Sequence, residues 1–255
     1  MARVVCLLVL VLAAGCPGGG GDDYPIGAGG GGGGPTTPGA SKDAAVEDAS
    51  QRDAAIDAPP GQLIGRVCLL TDLRLINAAP GDCAATGASN LRVTLGSSAP
   101  VLTNDDGTFL IAEQAGSNLA WTVTGVTLVT SVIPFSTSRL LPAIRDTAYG
   151  DLKSSSSVIV SPGEGSIVAR LVKNNASITG ARALVNNGES LQTLYDTANA
   201  TVWGTQGTGS LGVAWLPNNL AGTRTLIVSP PSGASFAVPV TIVDQAITFV
   251  TIAVP

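Results

Sequence analysis

From residue 62 to the C-terminus, apolar side chains recur at every second position in short runs. Leu91-Arg92-Val93-Thr94-Leu95, Trp121-Thr122-Val123-Thr124 and Phe236-Ala237-Val238-Pro239-Val240-Thr241-Ile242 each put alternate residues on one face. That two-residue period is the mark of a half-buried strand. Gly, Asn, Asp and Pro separate the runs, and no stretch keeps a 3.6-residue period over three turns. The pattern predicts an all-β sandwich fold. It also carries a faint internal repeat. Asp106-Gly107-Thr108-Phe109-Leu110-Ile111 is followed by Leu119-Ala120-Trp121-Thr122-Val123. Later, Thr208-Gly209-Ser210-Leu211-Gly212-Val213 is followed by Arg224-Thr225-Leu226-Ile227-Val228. Each pair predicts a hairpin, preceded by a strand at residues 65–70 or 167–172. Two tandem modules, 61–162 and 163–255, are expected, with the border near Pro162-Gly163; one longer sandwich is the other topology the spacing allows.

The first sixteen residues follow a different pattern. Arg3 precedes an unbroken apolar run, residues 4–12, and then the small residues Ala13, Ala14 and Gly15 before Cys16. The run is well short of the roughly 20 apolar residues that span a bilayer, so it reads as a secretory signal, residues 1–15. Leu12-Ala13-Ala14-Gly15-Cys16 resembles the lipobox of bacterial lipoproteins, with Ala13 where the family most often has Leu. The resemblance implies cleavage before Cys16, a diacylglycerol on its thiol and an acylated amine. Several acyl chains on one residue, at about 0.8 kcal/mol per buried methylene, make a lasting anchor. Within the family an Asp after the lipidated Cys favours the inner membrane; Pro17 stands there, which points to the outer membrane. The rival reading is an ordinary signal cut near Ala14 that leaves Cys16 a free thiol.

Residues 16–60 predict a disordered tether. Glycines fill 18–21 and 29–34, Pro35-Thr36-Thr37-Pro38 follows, and an Ala/Asp-rich stretch runs to Pro59-Pro60. Such a composition buries too little apolar area to offset chain entropy. As a Gly-rich coil it reaches on the order of 35–40 Å root-mean-square. The charge follows the same division. Seven acids (Asp22, Asp23, Asp43, Glu47, Asp48, Asp53 and Asp57) face only Lys42 and Arg52 in the tether, whereas ten bases and eleven acids are scattered beyond residue 60. With no cluster of Lys and Arg to neutralise phosphates, nucleic acid is excluded as a partner.

The first module resembles the carboxypeptidase regulatory-like (prealbumin-like) domains of exported proteins. The residues that carry the likeness are Gly65-Arg66-Val67, then Leu91-Arg92-Val93-Thr94-Leu95-Gly96, then Thr103-Asn104-Asp105-Asp106-Gly107-Thr108-Phe109. It covers roughly residues 62–130 and reaches the second module only faintly. It implies Ig-like or prealbumin-like seven-stranded sandwiches without catalytic machinery, used as spacer, stability or binding modules.

Of the four cysteines, Cys6 leaves with the signal and Cys16 takes lipid, so Cys68 and Cys83 remain. In an oxidising compartment they predict a disulfide that staples the first strand to the loop before Leu91. Metal binding is the rival, and two thiols without any His fall short of a tetrahedral zinc site. The chain contains no His, which removes Ser-His-Asp and Cys-His catalysis and the commonest general base. No Gly-x-Ser-x-Gly elbow and no Ser-x-x-Lys dyad is present, and the acids are scattered. No enzyme activity and no cofactor are expected; a histidine-free hydrolase with two acids in one cleft is kept as a rival.

Three features remain open. Gly207-Thr208-Gly209-Ser210-Leu211-Gly212 matches the dinucleotide fingerprint by letter, but a strand follows where that motif needs a helix. Asp105 and Asp106 beside Gly107 are candidate calcium ligands, against a plain turn. Trp203 and Trp215 are candidates for a sugar-stacking platform, against core packing, and the platform needs both rings exposed on one face. The expected function is a lipid-anchored cell-envelope protein whose non-catalytic head is structural or binds an envelope protein or polysaccharide. The alternative is a carbohydrate- or calcium-binding surface module.

Overall fold

The computed structural model describes residues 59–255, except 78–82, 85, 137, 187–191, 198, 200 and 201. The expected signal, Cys16 and the tether up to residue 58 lie outside the described residues. The described chain is all-β with one short helix.

Its first half contains β1 (Gln62–Leu70), β2 (Arg92–Leu95), β3 (Val101–Leu102), β4 (Thr108–Ala112), β5 (Ala120–Thr124), β6 (Leu128–Pro134) and β7 (Leu140–Arg145). β1 pairs antiparallel with β4 and parallel with β7, and faces a layer ordered β3-β2-β5-β6. The alternating residues read from the sequence fill the space between the layers. Val67, Leu69, Phe109 and Ile111 come from one side, and Val93, Leu95, Trp121 and Val123 from the other.

After β7 comes α1 (Asp146–Ser155), then β8 (Glu164–Lys173), β9 (Ala176–Ser177), β10 (Arg182–Val185), β11 (Leu194–Asp196), β12 (Trp203–Gly204), β13 (Val213–Leu220), β14 (Gly222–Ser229), β15 (Phe236–Ile242) and β16 (Ala246–Ala253). The order β10-β14-β15 makes a three-stranded sheet that covers β8, β13 and β16. Ile167, Ala169, Leu171, Leu216, Leu226 and Val240 pack between them.

The last strand ties the halves together. β16 lies between β8 and β6, parallel to both, so one sheet runs β12-β11-β13-β8-β16-β6-β5-β2-β3 across both halves. A third core forms beneath α1, where Leu70, Leu73 and Ile144 meet Val168, Trp215 and Phe249.

One expectation is corrected. The all-β class stands, and α1, at ten residues just short of three full turns, left no helical period to read because it buries only Tyr149 and carries Gly150. The two repeated strand pairs are not hairpins. β4 pairs with β1 while β5 pairs with β2 and β6, and β13 pairs with β11 and β8 while β14 pairs with β10 and β15. Both connections cross from one layer to the other. Alternation fixes which side chains face inward; it does not say which strand is the neighbour.

Candidate functional site

Cys68 and Cys83 form the expected disulfide, S–S 2.01 Å, across a sequence separation of 15. Both are buried, and the loop they close carries the 3-10 turn Leu73–Leu75. Leu73 is fully buried in the third core, and Arg74 sits beside it at 7% exposure. The Arg74 guanidinium donates to both oxygens of Asp72 and to the Val202 carbonyl, and lies 5.3 Å over the Trp203 ring. Arg170 of β8 donates to Asn77 at 2.9 Å. A loop from the first half is thereby strapped onto β8 and β12 of the second.

The Asp105-Asp106-Gly107 segment is a turn. Gly107 N–H donates to the Asn104 carbonyl at 2.9 Å, and Asn104 N–H to the Thr108 carbonyl at 2.8 Å. Gly107 is required there: its φ is +85°, and a Cβ would stand 2.8 Å from the Val67 carbonyl oxygen. Asp106 accepts the Thr108 hydroxyl at 2.6 Å and the Thr108 amide at 2.9 Å, which lowers its pKa, while Asp105 accepts the Ser89 hydroxyl at 2.9 Å. The two carboxylates serve separate partners, Asp106 holding Thr108 within the turn and Asp105 holding Ser89 outside it. Among the described residues no three His, Cys, Asp or Glu side chains converge on a metal-sized site.

Sequence reading missed the residues that organise the second half, Tyr195 and Asp196. As neighbours on β11 they point to opposite faces. The Tyr195 phenol accepts the Ala183 amide at 3.0 Å and donates to the Ala183 carbonyl at 3.1 Å, occupying one residue's edge groups on β10. Asp196, 0% exposed, receives the amides of Gly209, Leu211 and Val213 at 2.9, 2.8 and 2.7 Å. Gly209 permits this approach, since a Cβ there would lie 2.7 Å from the Asp196 carbonyl oxygen. Thr208 accepts the Ala181 amide at 3.0 Å and donates to the Ile178 carbonyl at 2.6 Å. The fingerprint-like segment 207–212 therefore does turn backbone N–H groups toward a negative charge, but the charge is the protein's own carboxylate. The one available signal was an acid one residue after an aromatic, ahead of a Gly-rich turn.

The platform of two indoles is not formed. Trp215 is 0% exposed, packed 6.0 Å from Tyr149 and 5.4 Å from Trp203, so it offers no face to a ligand. Trp203 differs. It is half-buried, at the end of the sheet on a two-residue strand, and borders a groove of about 350 Å³. Leu152 and the serines at 155, 156 and 157, from the C-terminal end of α1, form one bank. Gln192, Leu194, Val202 and Thr205 complete the lining with Trp203. A second cavity of about 420 Å³ lies over the Gly-rich turn, bordered by Thr179, Asp196, Thr197 and Gln206. There the carboxylate is already engaged by three amides.

No protein-family model and no curated protein matches this sequence. Among solved structures, the Bacillus anthracis TIE protein aligns at 12% identity and a TM-score of 0.24, over 76% of this chain and 33% of its own. The group B streptococcus pilus 2b backbone protein aligns at 14% identity and a TM-score of 0.22, over 66% of this chain and 79% of its own. This chain thus spans about a third of the TIE protein. TM-scores of this size do not define a shared fold.

Proposed function

We propose that the protein is a lipoprotein of the cell envelope, anchored in the outer membrane through Cys16, whose tethered β head is non-catalytic and serves a structural or partner-binding role. The anchor rests on the sequence Leu12-Ala13-Ala14-Gly15-Cys16 with Pro17 after it. One observation carries the non-catalytic part. Three buried polar side chains of the second half, Tyr195, Asp196 and Thr208, direct their hydrogen bonds to backbone groups of the same chain. A carboxylate holding three amides acts as a structural clamp.

Mass spectrometry of the protein from native membranes tests the anchor. The expected product begins at Cys16 carrying a diacylglycerol and an N-acyl chain. Replacing Cys16 with Ser should move the protein from the membrane pellet to the soluble fraction. An unmodified Cys16 thiol, or a Cys16→Ser protein that still sediments with lipid, overturns the reading.

A further inference from the structure

Among the described residues, the groove beside Trp203 has an amphipathic lining without a charged side chain. Trp203, Leu152, Leu194 and Val202 present apolar surface; Ser155, Ser157 and Thr205 present hydroxyls at exposed positions. The indole is held in place by the fold. Arg74 lies 5.3 Å above it, Trp215 is tilted against it at 58°, and Arg74 is itself fixed by Asp72 and the Val202 carbonyl. An aromatic wall immobilised in this way loses little side-chain entropy when something binds to it.

We propose that this groove binds a neutral carbohydrate. The inference deepens the partner-binding reading of the head and rests on it. Three observations select that ligand class. Among the described residues no Lys or Arg lines the groove to give a phosphate or uronate its counter-charge. Among the same residues no lining carboxylate is placed to hold a cation. The lining hydroxyls of Ser155, Ser157 and Thr205 stand at exposed positions. What remains is a wall for the C–H face of a sugar ring and a rim of hydroxyl and amide groups for its hydroxyls. A volume of 350 Å³ is at the small end of ligand sites, which run from about 300 to 1,000 Å³, and suits about one or two sugar rings. The second cavity makes the contrast: its one carboxylate, Asp196, is consumed by the fold.

The intact chain, purified from membranes in a detergent without a sugar headgroup, is titrated with cellohexaose, chitohexaose and maltohexaose, and with polygalacturonate as the anionic control. Calorimetry and tryptophan emission are read together. At least one neutral oligosaccharide should bind saturably with Kd at or below about 1 mM and shift the emission. Ser155→Arg and Thr205→Arg, both at exposed positions, should weaken that binding at least ten-fold with the melting temperature unchanged. Trp203→Phe should weaken it as well and abolish the emission change. No saturable binding by any of the three, preference for polygalacturonate, or binding by Ser155→Arg equal to that of the natural chain each overturns the proposal. None of these results touches the lipid anchor, which is read separately by fractionation of the Cys16→Ser protein.

Discussion

Asp196 offers the sharpest test of how the second half is held. Its two carboxylate oxygens are divided unequally: Oδ1 accepts from Gly209 and Val213, and Oδ2 from Leu211. Removing the carboxylate in Asp196→Ala leaves three amides without an acceptor. A buried donor left unpaired costs about 1–3 kcal/mol. The Val213 amide is fully enclosed, while those of Gly209 and Leu211 are partly buried and can recruit water. The expected loss is about 3–4 kcal/mol, dominated by Val213. Asp196→Asn is gentler, because its carbonyl can take the Oδ1 place and keep two of the three bonds while its NH2 opposes only the Leu211 amide. About 1–2 kcal/mol is expected there. In a chain of this size 1 kcal/mol shifts the melting midpoint by roughly 2–4 °C, so the Ala variant should melt about 10 °C lower and the Asn variant about 5 °C lower. Urea unfolding with the disulfide intact, followed by tryptophan emission, measures both. An Ala variant within 1 kcal/mol of the natural protein refutes the clamp. Equal losses for Ala and Asn refute the unequal division.

Three more outcomes follow from the same structure. Cys68→Ser paired with Cys83→Ser opens a loop of separation 15 and should cost about 3 kcal/mol in urea, with Trp203 emission red-shifting as the Arg74 strap loosens. Burial raises the phenol pKa of both Tyr149 and Tyr195. Their contribution is therefore complete below the unfolded value of about 10 and is lost as pH rises through the folded values. Stability should fall above about pH 10, and Tyr149→Phe with Tyr195→Phe should flatten that limb, read from urea midpoints between pH 8 and 11.5. A chain cut after residue 162 separates β16 from β6 and strips Leu70, Leu73 and Ile144 of their second-half partners. At about 1.5–3 kcal/mol per exposed side chain the loss rivals a domain's whole stability, so fragment 59–162 should show no cooperative melt unless fragment 163–255 is added.

The sandwich class, its inward-facing residues and the Cys68–Cys83 bridge were legible because each leaves a local mark. Alternation along Leu91-Arg92-Val93-Thr94-Leu95 announces which side chains face the core, and Val93 and Leu95 are indeed fully buried. What was not legible is set by contacts far apart in the chain. Pairing of β16 with β6 joins residues 246–248 to 130–132, and nothing within either segment encodes the other. The strand pairs that resembled hairpins failed for the same reason, since an arch between layers and a hairpin within one share the same alternation and the same turn residues. Of the candidate indoles, Trp215 has a partly buried neighbour in Trp203 and a paired strand on both sides, whereas Trp203 terminates the sheet on a strand of two residues. Identical residue types in similar local patterns thus acquire different exposure from their distance to the sheet edge, Trp215 fully buried and Trp203 half-buried. Position in the strand order, which single-sequence periodicity does not contain, decides how completely an aromatic is enclosed. It also makes the end of this sheet, where β12, the Arg74 strap and the C-terminus of α1 meet, the place where an indole is both rigid and reachable.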